Sequence, residues 1–276
     1  MARVSPRLHR LLTLLRGWGY DGRSLGALGI LAAVCSAVAV NWWELVELTF
    51  DVDWLLTGIW AFMGALLLHR VSPRRDLTLA SVALAGGLLI EAWGTQTRLW
   101  TYFTQERPPL WILPAWPVAA LAIDRLARLL DARASWLRRL GPAYWVVMPG
   151  FVVFMGAFIW PTVDRPTTRL VLALMAAVTF IGVRRERDLV LFIAGAGLGI
   201  FLEYWGTSRH CWTYYTREMP PAEAVLAHGF ASVAFARGVQ LMGWSRAQLG
   251  RLRTRADAPQ PRDREIQPSQ RPHRAR

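Results

Sequence analysis

Long uncharged apolar blocks constrain this chain more than any other feature of its sequence. Stretches such as Leu25 to Val40 and Leu189 to Leu202 approach the ~20 residues that an α-helix needs to cross a bilayer. Hydrophobic residues make up 54% of the chain, and a soluble domain with that content would interrupt its apolar runs with polar faces. The sequence therefore predicts an all-α integral membrane protein, a polytopic bundle of transmembrane helices.

Eight membrane spans are predicted from the apolar runs that turn and charge signals separate. The second run is short for a span, and its aromatic flanks would have to extend it. The expected spans lie near residues 25–42, 54–69, 77–95, 110–129, 142–160, 167–183, 188–206 and 222–243. Because their number is even, the chain should begin and end on the same side of the membrane.

Arginine supplies the whole positive charge of the chain, which has a net charge of +13 and no lysine. The arginines concentrate in the two terminal segments and in every second loop. Because short basic loops stay on the cytoplasmic side, we expect an inner (cell) membrane protein with both termini in the cytoplasm. In a soluble protein such a charge would suggest nucleic acid, but its place in the loops indicates orientation instead, so no nucleic-acid partner is expected.

The predicted domains follow from these spans and charges. A cytoplasmic amphipathic segment precedes the first span, and a basic cytoplasmic linker joins two four-span repeats. After the last span Arg, Pro and Gln dominate, which is typical of a disordered segment. The domains are residues 1–24 (amphipathic segment), 25–130 (first repeat), 131–141 (linker), 142–243 (second repeat) and 244–276 (disordered basic tail).

A repeated string supports the division into two repeats. EAWGTQTRLWTYFTQERPP begins at Glu91, EYWGTSRHCWTYYTREMPP begins at Glu203, and 11 of the 19 positions are identical. The shift that superposes Glu91 on Glu203, the repeat offset, also aligns Asp76 with Asp188. Four spans return the chain to its starting side, so the repeats should share one orientation, face each other across a pseudo-two-fold axis and enclose a cavity. Both strings are expected on the extracytoplasmic side.

Glu91 and Glu203 are the candidate catalytic residues. Counting ~1.5 Å per residue, Glu91 lies ~21 Å along its helix, inside the outer part of a ~30 Å hydrocarbon layer. A carboxyl group at that depth usually faces the protein interior and has a function. Loss of water favours its protonated form, which could donate a proton to an alkene. Glycines four residues before and three after each glutamate share its helix face and would leave room for a helix or a ligand.

Aromatic side chains near the two glutamates are the predicted walls of a substrate site. Their electron-rich faces would stabilise a carbocation formed by protonation. The two copies differ where Arg98 aligns with His210 and Trp116 with His228, and these differences could decide which copy is active. The predicted substrate-binding residues are Trp93, Trp100, Tyr102, Trp205, Trp212, Tyr214, Arg98, His210 and His228.

The sequence leaves other interpretations open. Each glutamate could instead accept hydrogen bonds from the loop that follows it, from a threonine or an indole N–H, and so hold that loop in the membrane. The aromatic residues could form an ordinary interfacial belt, and Glu106 and Glu218 are expected as solvated loop charges. A metal site of Glu203, His210, Glu218 and His228 would have a spacing that matches no standard ligand pattern, so no metal and no cofactor are expected.

The first copy of the string resembles a motif of the multi-span carotenoid biosynthesis family that includes the bacterioruberin-pathway hydratases. The resemblance covers Glu91-x-x-Gly94-Thr95-x-Thr97, then Tyr102 and prolines 108, 109 and 114. The chain departs from the family's pattern at the four positions after Thr97, and its duplicated build is similar to that of membrane lycopene cyclases. The resemblance implies addition of water to an isoprenoid double bond, or cyclisation there, with Glu91 as the matched carboxylate.

The sequence as a whole favours a membrane enzyme, a lyase or isomerase, that acts by proton transfer on a lipophilic isoprenoid-type substrate. The alternative is a transporter or binding protein that holds a small hydrophobic molecule without changing its bonds. The expected partners are membrane lipids and the lipophilic substrate.

Overall fold

The computed structural model describes residues 13–42 and 53–256. In these ranges the chain is mostly helical, with eight long α-helices and two short strands, which confirms the all-α class. The helices are α1 (Gly22–Asn41), α2 (Trp54–Leu68), α3 (Pro73–Thr97), α4 (Ala115–Arg133), α5 (Tyr144–Ile159), α6 (Pro166–Phe180), α7 (Arg185–Ser208) and α8 (Ala222–Ala256). The strands are β1 (Trp100–Tyr102) and β2 (Trp212–Tyr214), and 3₁₀ helices cover Leu110–Ile112, Ser135–Ala143 and Trp160–Thr162.

Six helical segments are long and apolar enough to cross a bilayer, as expected of an integral membrane protein, when α4 and α5 are counted with the 3₁₀ turns that flank them. Helices α2 and α6 are also apolar but contain 15 residues each. At ~1.5 Å per residue they extend over ~22 Å, less than a ~30 Å hydrocarbon layer. Each of the eight predicted spans coincides with a helix, and length and composition support a membrane crossing for six of them.

Local sequence signals explain where the helices begin and end. The Asp21 carboxylate accepts hydrogen bonds from the backbone of the first turn of α1, and Asp53 caps α2 in the same way. Pro73 and Pro166 occupy the first position of α3 and α6, where a missing N–H costs nothing. Helix α3 ends at Thr97, and the next residue, Arg98, has a left-handed φ of 60° that reverses the chain.

Helix α4 is central to the bundle, because it packs against α2, α3 and α7. Among the largest fully buried side chains of the core are Tyr144, Met148, Ile159, Val190 and Val233. Helix α1 is peripheral, packs against α2 and buries only Ser24 of its described residues. Helix α7 is the most buried of the six membrane-length helices, and α3 and α7 each lead directly into one of the two paired strands.

The chain divides into two compact units, one ending at Val239 and the other beginning at Gln240. Helix α8 runs through this boundary to Ala256, so residues 244–256 are helical where the sequence predicts a disordered tail. Arg, Gln, Leu and Ala in this stretch are good helix formers. The predicted linker 131–141 is the end of α4 and a 3₁₀ helix. Residues 1–12 of the amphipathic segment and 257–276 of the tail lie outside the described residues.

Candidate functional site

Two buried carboxylates, one from each copy of the repeated string, form the centre of the candidate site. Glu91 lies near the C-terminal end of α3, and Glu203 lies near the C-terminal end of α7. Glu91 is 4% exposed and Glu203 is 5% exposed. A carboxylate withdrawn from water in this way requires hydrogen-bond donors around it.

Glu91 receives three hydrogen bonds from the protein. The Trp100 indole and the Tyr102 hydroxyl donate to Oε2 at 3.1 and 3.0 Å, and the Trp116 indole donates to Oε1 at 3.1 Å. Burial and the neighbouring Glu91 raise the pKa of Tyr102 well above its ordinary value of 10, so the phenol keeps its proton and stays a donor. Because an indole nitrogen can only donate, the arrangement fits a Glu91 side chain that acts as an acceptor.

Glu203 has two similar donors and a titratable neighbour. The Trp212 indole and the Tyr214 hydroxyl donate to its Oε2 at 2.9 and 3.0 Å. The third position is taken by His228, whose Nδ1 lies 3.6 Å from Glu203 Oε1 and 3.1 Å from the carbonyl oxygen of Ala224. The first distance is too long for a hydrogen bond, so the imidazole sits beside the carboxylate without being fixed to it.

Trp116 and His228 occupy corresponding positions next to the two carboxylates, and the repeat offset relates them as well. Their rings are nearly parallel, with centroids 6.1 Å apart and an interplanar angle of 12°. Trp116 is partly exposed, and the His228 side chain is 16% exposed. This ring pair therefore joins the surroundings of the two carboxylates and reaches the surface of the protein.

The glycines beside the glutamates make room for the chain's own indoles. A Cβ atom on Gly94 would lie 1.9 Å from the Trp100 ring, and one on Gly206 would lie 1.9 Å from the Trp212 ring. The glycines four residues before each glutamate likewise lie against side-chain or backbone atoms of the neighbouring helix. The space that the sequence predicts beside each glutamate is thus occupied by the protein itself. Beside Gly94 and Gly206 it is occupied by the Trp100 and Trp212 rings.

The segments that follow α3 and α7 pair with each other as an antiparallel two-stranded sheet, a contact that the sequence does not reveal. Thr101 lies opposite Thr213, and Trp100 lies opposite Tyr214. The pairing continues beyond the strands, because Phe103 N donates to the Cys211 carbonyl at 3.1 Å and Tyr215 N donates to the Leu99 carbonyl at 3.0 Å. The Trp100 and Tyr214 rings are also in contact, at a centroid separation of 6.0 Å. The two carboxylate sites are thus parts of one assembly.

The other two predicted aromatic residues, Trp93 and Trp205, direct their indole N–H groups away from the glutamates. Trp93 donates to the Thr168 hydroxyl at 3.0 Å, and Trp205 donates to Asp53 Oδ2 at 2.9 Å. Arg209 Nε donates to the same Asp53 oxygen at 2.9 Å. Burial acts in the opposite direction, but a backbone amide of α2, Arg209 and Trp205 together hold the pKa of Asp53 below its ordinary value of 3.8.

Arg98 and His210 are exposed at the ends of α3 and α7, with left-handed φ angles of 60° and 55°. Their structural role is to reverse the chain toward the paired strands. Glu106 and Glu218 are exposed, as the sequence predicts for loop charges. Within residues 13–42 and 53–256, no group of three or more His, Cys, Asp or Glu side chains is placed to hold a metal ion.

A second polar cluster lies at the opposite ends of α3 and α7. The Asp124 carboxylate on α4 accepts from Arg75 Nη2 at 2.8 Å and from Arg187 Nη2 at 3.2 Å, both on Oδ1. Arg128 Nη2 lies 2.9 Å from its other oxygen. Arg125, which is 1% exposed, pairs with Asp124 as well. The repeated Arg-Asp pair at the start of α3 and α7 is the sequence signal for this cluster.

Arg125 has a counterpart in the second copy, Arg237, at the repeat offset. Arg125 pairs with Asp76 and donates to the His69 carbonyl at 3.0 Å, whereas Arg237 pairs with Asp188. Both ion pairs tie the first turn of a long helix to the helix that follows its strand, α4 or α8. They were not among the predicted site residues, because single Arg and Asp residues at loop ends usually indicate orientation alone.

Ligand-sized space occurs elsewhere in the molecule. An open apolar groove of about 580 Å³ lies between α1 and α2, lined by residues of these two helices, including Leu31, Thr57 and Trp60. Comparisons of the chain with protein-family models, with curated proteins and with solved structures gave no match.

Proposed function

We propose that the chain crosses the membrane eight times and consists of two four-span repeats with the same orientation. Helices α2 and α6 begin at positions 54 and 166, and α3 and α7 begin at 73 and 185, so both pairs are related by the repeat offset. The register of β1 with β2 supports the same offset. The short helices α2 and α6 hold the same position in each repeat, and local thinning of the bilayer would allow them to cross. The arginine-rich ends of α3 and α7 would face the cytoplasm.

We further propose that the protein is an enzyme that transfers a proton to or from a lipophilic, isoprenoid-type substrate, the class of reaction that the resemblance to carotenoid hydratases implies, with the aligned Glu203 in the role that the resemblance gives to Glu91. The observation that carries this proposal is the buried Glu203 carboxylate with the His228 imidazole 3.6 Å away. A neutral imidazole has one donor and one acceptor nitrogen, so it can pass a proton to a neighbouring carboxylate or receive one from it. The protonated Glu203 side chain is then the group that donates to a substrate double bond.

The first copy of the site has a different role in this proposal. Glu91 accepts three hydrogen bonds from indole and phenol groups, and none of these donors titrates near neutral pH. Such a carboxyl group holds its loop in place, which is the structural alternative that the sequence leaves open. At the position that Trp116 holds in the first copy, the second copy has His228. The second copy is therefore the one that transfers protons.

A substrate could approach the pair from the bilayer. His228 is partly exposed and Trp116 lies parallel to it, so an alkyl chain resting against Trp116 would bring a double bond close to the imidazole. The Trp212 and Tyr214 rings beside Glu203 would stabilise positive charge that develops on the substrate. In this arrangement the proton comes from the Glu203 and His228 pair and adds to one alkene carbon, leaving the cation on the other.

Comparison of lipid extracts by mass spectrometry, from cells with and without the protein, tests the proposal. The wild type should produce an altered isoprenoid lipid, and Glu203→Gln and His228→Gln should each lower its amount by ~100-fold or more. The matched variant Glu91→Gln should fold less stably but retain product formation in the fraction that folds. Equal loss of product in all three variants, or no altered lipid with the wild type, would contradict the proposal.

A binding or transport protein is the second candidate, and the open groove between α1 and α2 favours it. Its volume of about 580 Å³ falls within the range of small-molecule sites, and its lining is apolar. A transporter would move a hydrophobic probe across proteoliposome membranes and leave its structure unchanged. Trp60→Ala should then reduce flux or binding, whereas Glu203→Gln should have no effect on either if the groove is the working site.

A further inference from the structure

The polar cluster at the N-terminal ends of α3 and α7 carries more positive than negative charge. Four guanidinium groups surround the Asp124 carboxylate, which is 5% exposed. Asp76 pairs with one of them, Arg125. The six side chains therefore carry two positive charges in excess.

Arg75 and Arg187 are the outward members of this cluster. Both Nη2 atoms lie on the same oxygen of Asp124, at 2.8 and 3.2 Å, so the two guanidinium groups are held close together despite their like charge. Their side chains are 45% and 38% exposed. Each uses one nitrogen for Asp124, which leaves other N–H groups of the guanidinium fork directed toward the surroundings of the protein.

The backbone adds to the positive potential at this place. Arg75 and Arg187 are each the third residue of a long helix, and the N-terminal ends of α3 and α7 carry the positive ends of their dipoles. Acidic residues in the two first turns, Asp76, Glu186 and Asp188, offset part of this potential. The buried Asp124 carboxylate thus holds the two exposed arginines close together at the two helix ends. The arginines are therefore positioned without a ligand.

We propose that Arg75 and Arg187 form a binding site for a phosphate group. A phosphate bridging the two guanidinium groups would offset the excess charge and accept paired hydrogen bonds from each fork. The site lies at the end of the bundle that the arginines assign to the cytoplasm, where two sources of phosphate exist. One is the headgroup of an anionic lipid, and the other is a soluble phosphate.

Native mass spectrometry and thermal unfolding of the purified full chain distinguish these sources. In the first arm the protein is incubated with phosphatidylglycerol or with phosphatidylcholine, and bound lipids are counted. In the second arm it is heated in detergent with inorganic phosphate or with chloride at equal ionic strength. Arg75→Gln/Arg187→Gln should bind its phosphate source at least ~10-fold more weakly than the wild type. The control Arg98→Gln/Arg217→Gln removes the same charge from exposed positions near the strands and should bind as the wild type does.

The two arms distinguish the two phosphate sources. Selective retention of phosphatidylglycerol that the double variant loses supports a lipid headgroup, and a phosphate-specific rise in Tm that the double variant loses supports a soluble ligand. Equal binding by the wild type and the double variant, or an equal loss in the control, overturns the proposal. If the double variant fails to fold, Arg75→Lys/Arg187→Lys decides, because it keeps the charge but not the fork and should show the weaker binding with its helicity intact. None of these measurements depends on the proposed enzymatic activity.

Discussion

Thr101 and Thr213, which the repeat offset relates, lie directly opposite each other where β1 pairs with β2. Their neighbours then exchange places, because Trp100 faces Tyr214 and Tyr102 faces Trp212. Side chains alternate along a strand, so in each copy the Trp and the Tyr point to one side and the Thr to the other. The same register therefore places a Trp and a Tyr donor beside each glutamate and joins the two copies through backbone hydrogen bonds.

The indole donors provide the first prediction. Trp100→Phe keeps an aromatic ring but removes the N–H that Glu91 accepts and the outer ring edge that lies against Gly94, and Trp212→Phe does the same at Glu203 and Gly206. Each change should lower the free energy of unfolding by ~1–3 kcal/mol, because a buried carboxylate loses a donor. Denaturant unfolding in detergent micelles measures the effect. Trp160→Phe at an exposed position is the control and should change the stability by less than ~0.5 kcal/mol.

The glycines beside the indoles provide the second prediction. Gly94→Ala and Gly206→Ala would each place a methyl group 1.9 Å from a ring, so the ring must move and its hydrogen bond to the glutamate must break. We expect a loss of ~2–4 kcal/mol in each case, from overpacking and the unpaired carboxylate together. Gly197→Ala in the same helix as Gly206 meets no atom within 4 Å and should be neutral or stabilising. Similar stability of all three variants would show that the rings do not occupy this space.

The sequence predicts which residues belong to this site, but it does not predict how their side chains pack. The repeated string, the burial of Glu91 and Glu203 and the involvement of Trp100 and Tyr102 are predictable from the amino-acid sequence, because apolar runs and identical spacing are local features. The alternative that each glutamate holds its own loop was also available, and the hydrogen bonds of Trp100 and Trp212 match it.

The remaining features depend on contacts between distant segments. The strand pairing joins segments that lie far apart in the chain, and such short strands have no period that a sequence pattern could detect. Trp93 and Trp205 are identical in both copies, yet they bond to different partners, Thr168 and Asp53, because those partners come from segments outside the repeated string. Glycine beside a glutamate indicates space, but only packing decides whether a ligand or the Trp100 ring fills it.

The ion pair between Asp53 and Arg209 provides a prediction of pH dependence. The folded-state pKa of Asp53 is lowered, so its contribution to stability is fully present above its ordinary pKa of 3.8 and is lost as the pH falls through the lower folded-state value. Asp53→Asn keeps a side chain that can cap α2 but removes the charge. The wild type should be more stable than Asp53→Asn at pH 7, and the difference should shrink as the pH falls below the ordinary pKa of 3.8 and through the lower folded-state pKa. A difference that grows on acidification would contradict this assignment.

The proposed orientation is testable by cysteine accessibility. In a chain whose two cysteines, Cys35 and Cys211, are replaced by alanine, single cysteines are introduced at exposed positions on either end of the bundle. Cysteines at Gln105 and Met219 should react with a membrane-impermeant maleimide added to intact cells, because they flank the paired strands. A cysteine at Arg74 should react only after the cells are opened. Labelling of Gln105 and Met219 from opposite sides would rule out two repeats of the same orientation.

Asp124 is expected to be the most sensitive acidic residue at the arginine-rich end of the bundle. Its carboxylate is shared by guanidinium groups from α3, α4 and α7, and Asp124→Asn would leave those groups close together with no common counter-ion. Breaking a buried ion pair from one side costs ~3–5 kcal/mol, so this variant should unfold far below the wild-type midpoint. Asp164→Asn, at an exposed position, should behave as the wild type. Added phosphate should partly restore the Asp124→Asn protein if the arginines bind it, and the recovery should disappear when Arg75→Gln is combined with Asp124→Asn.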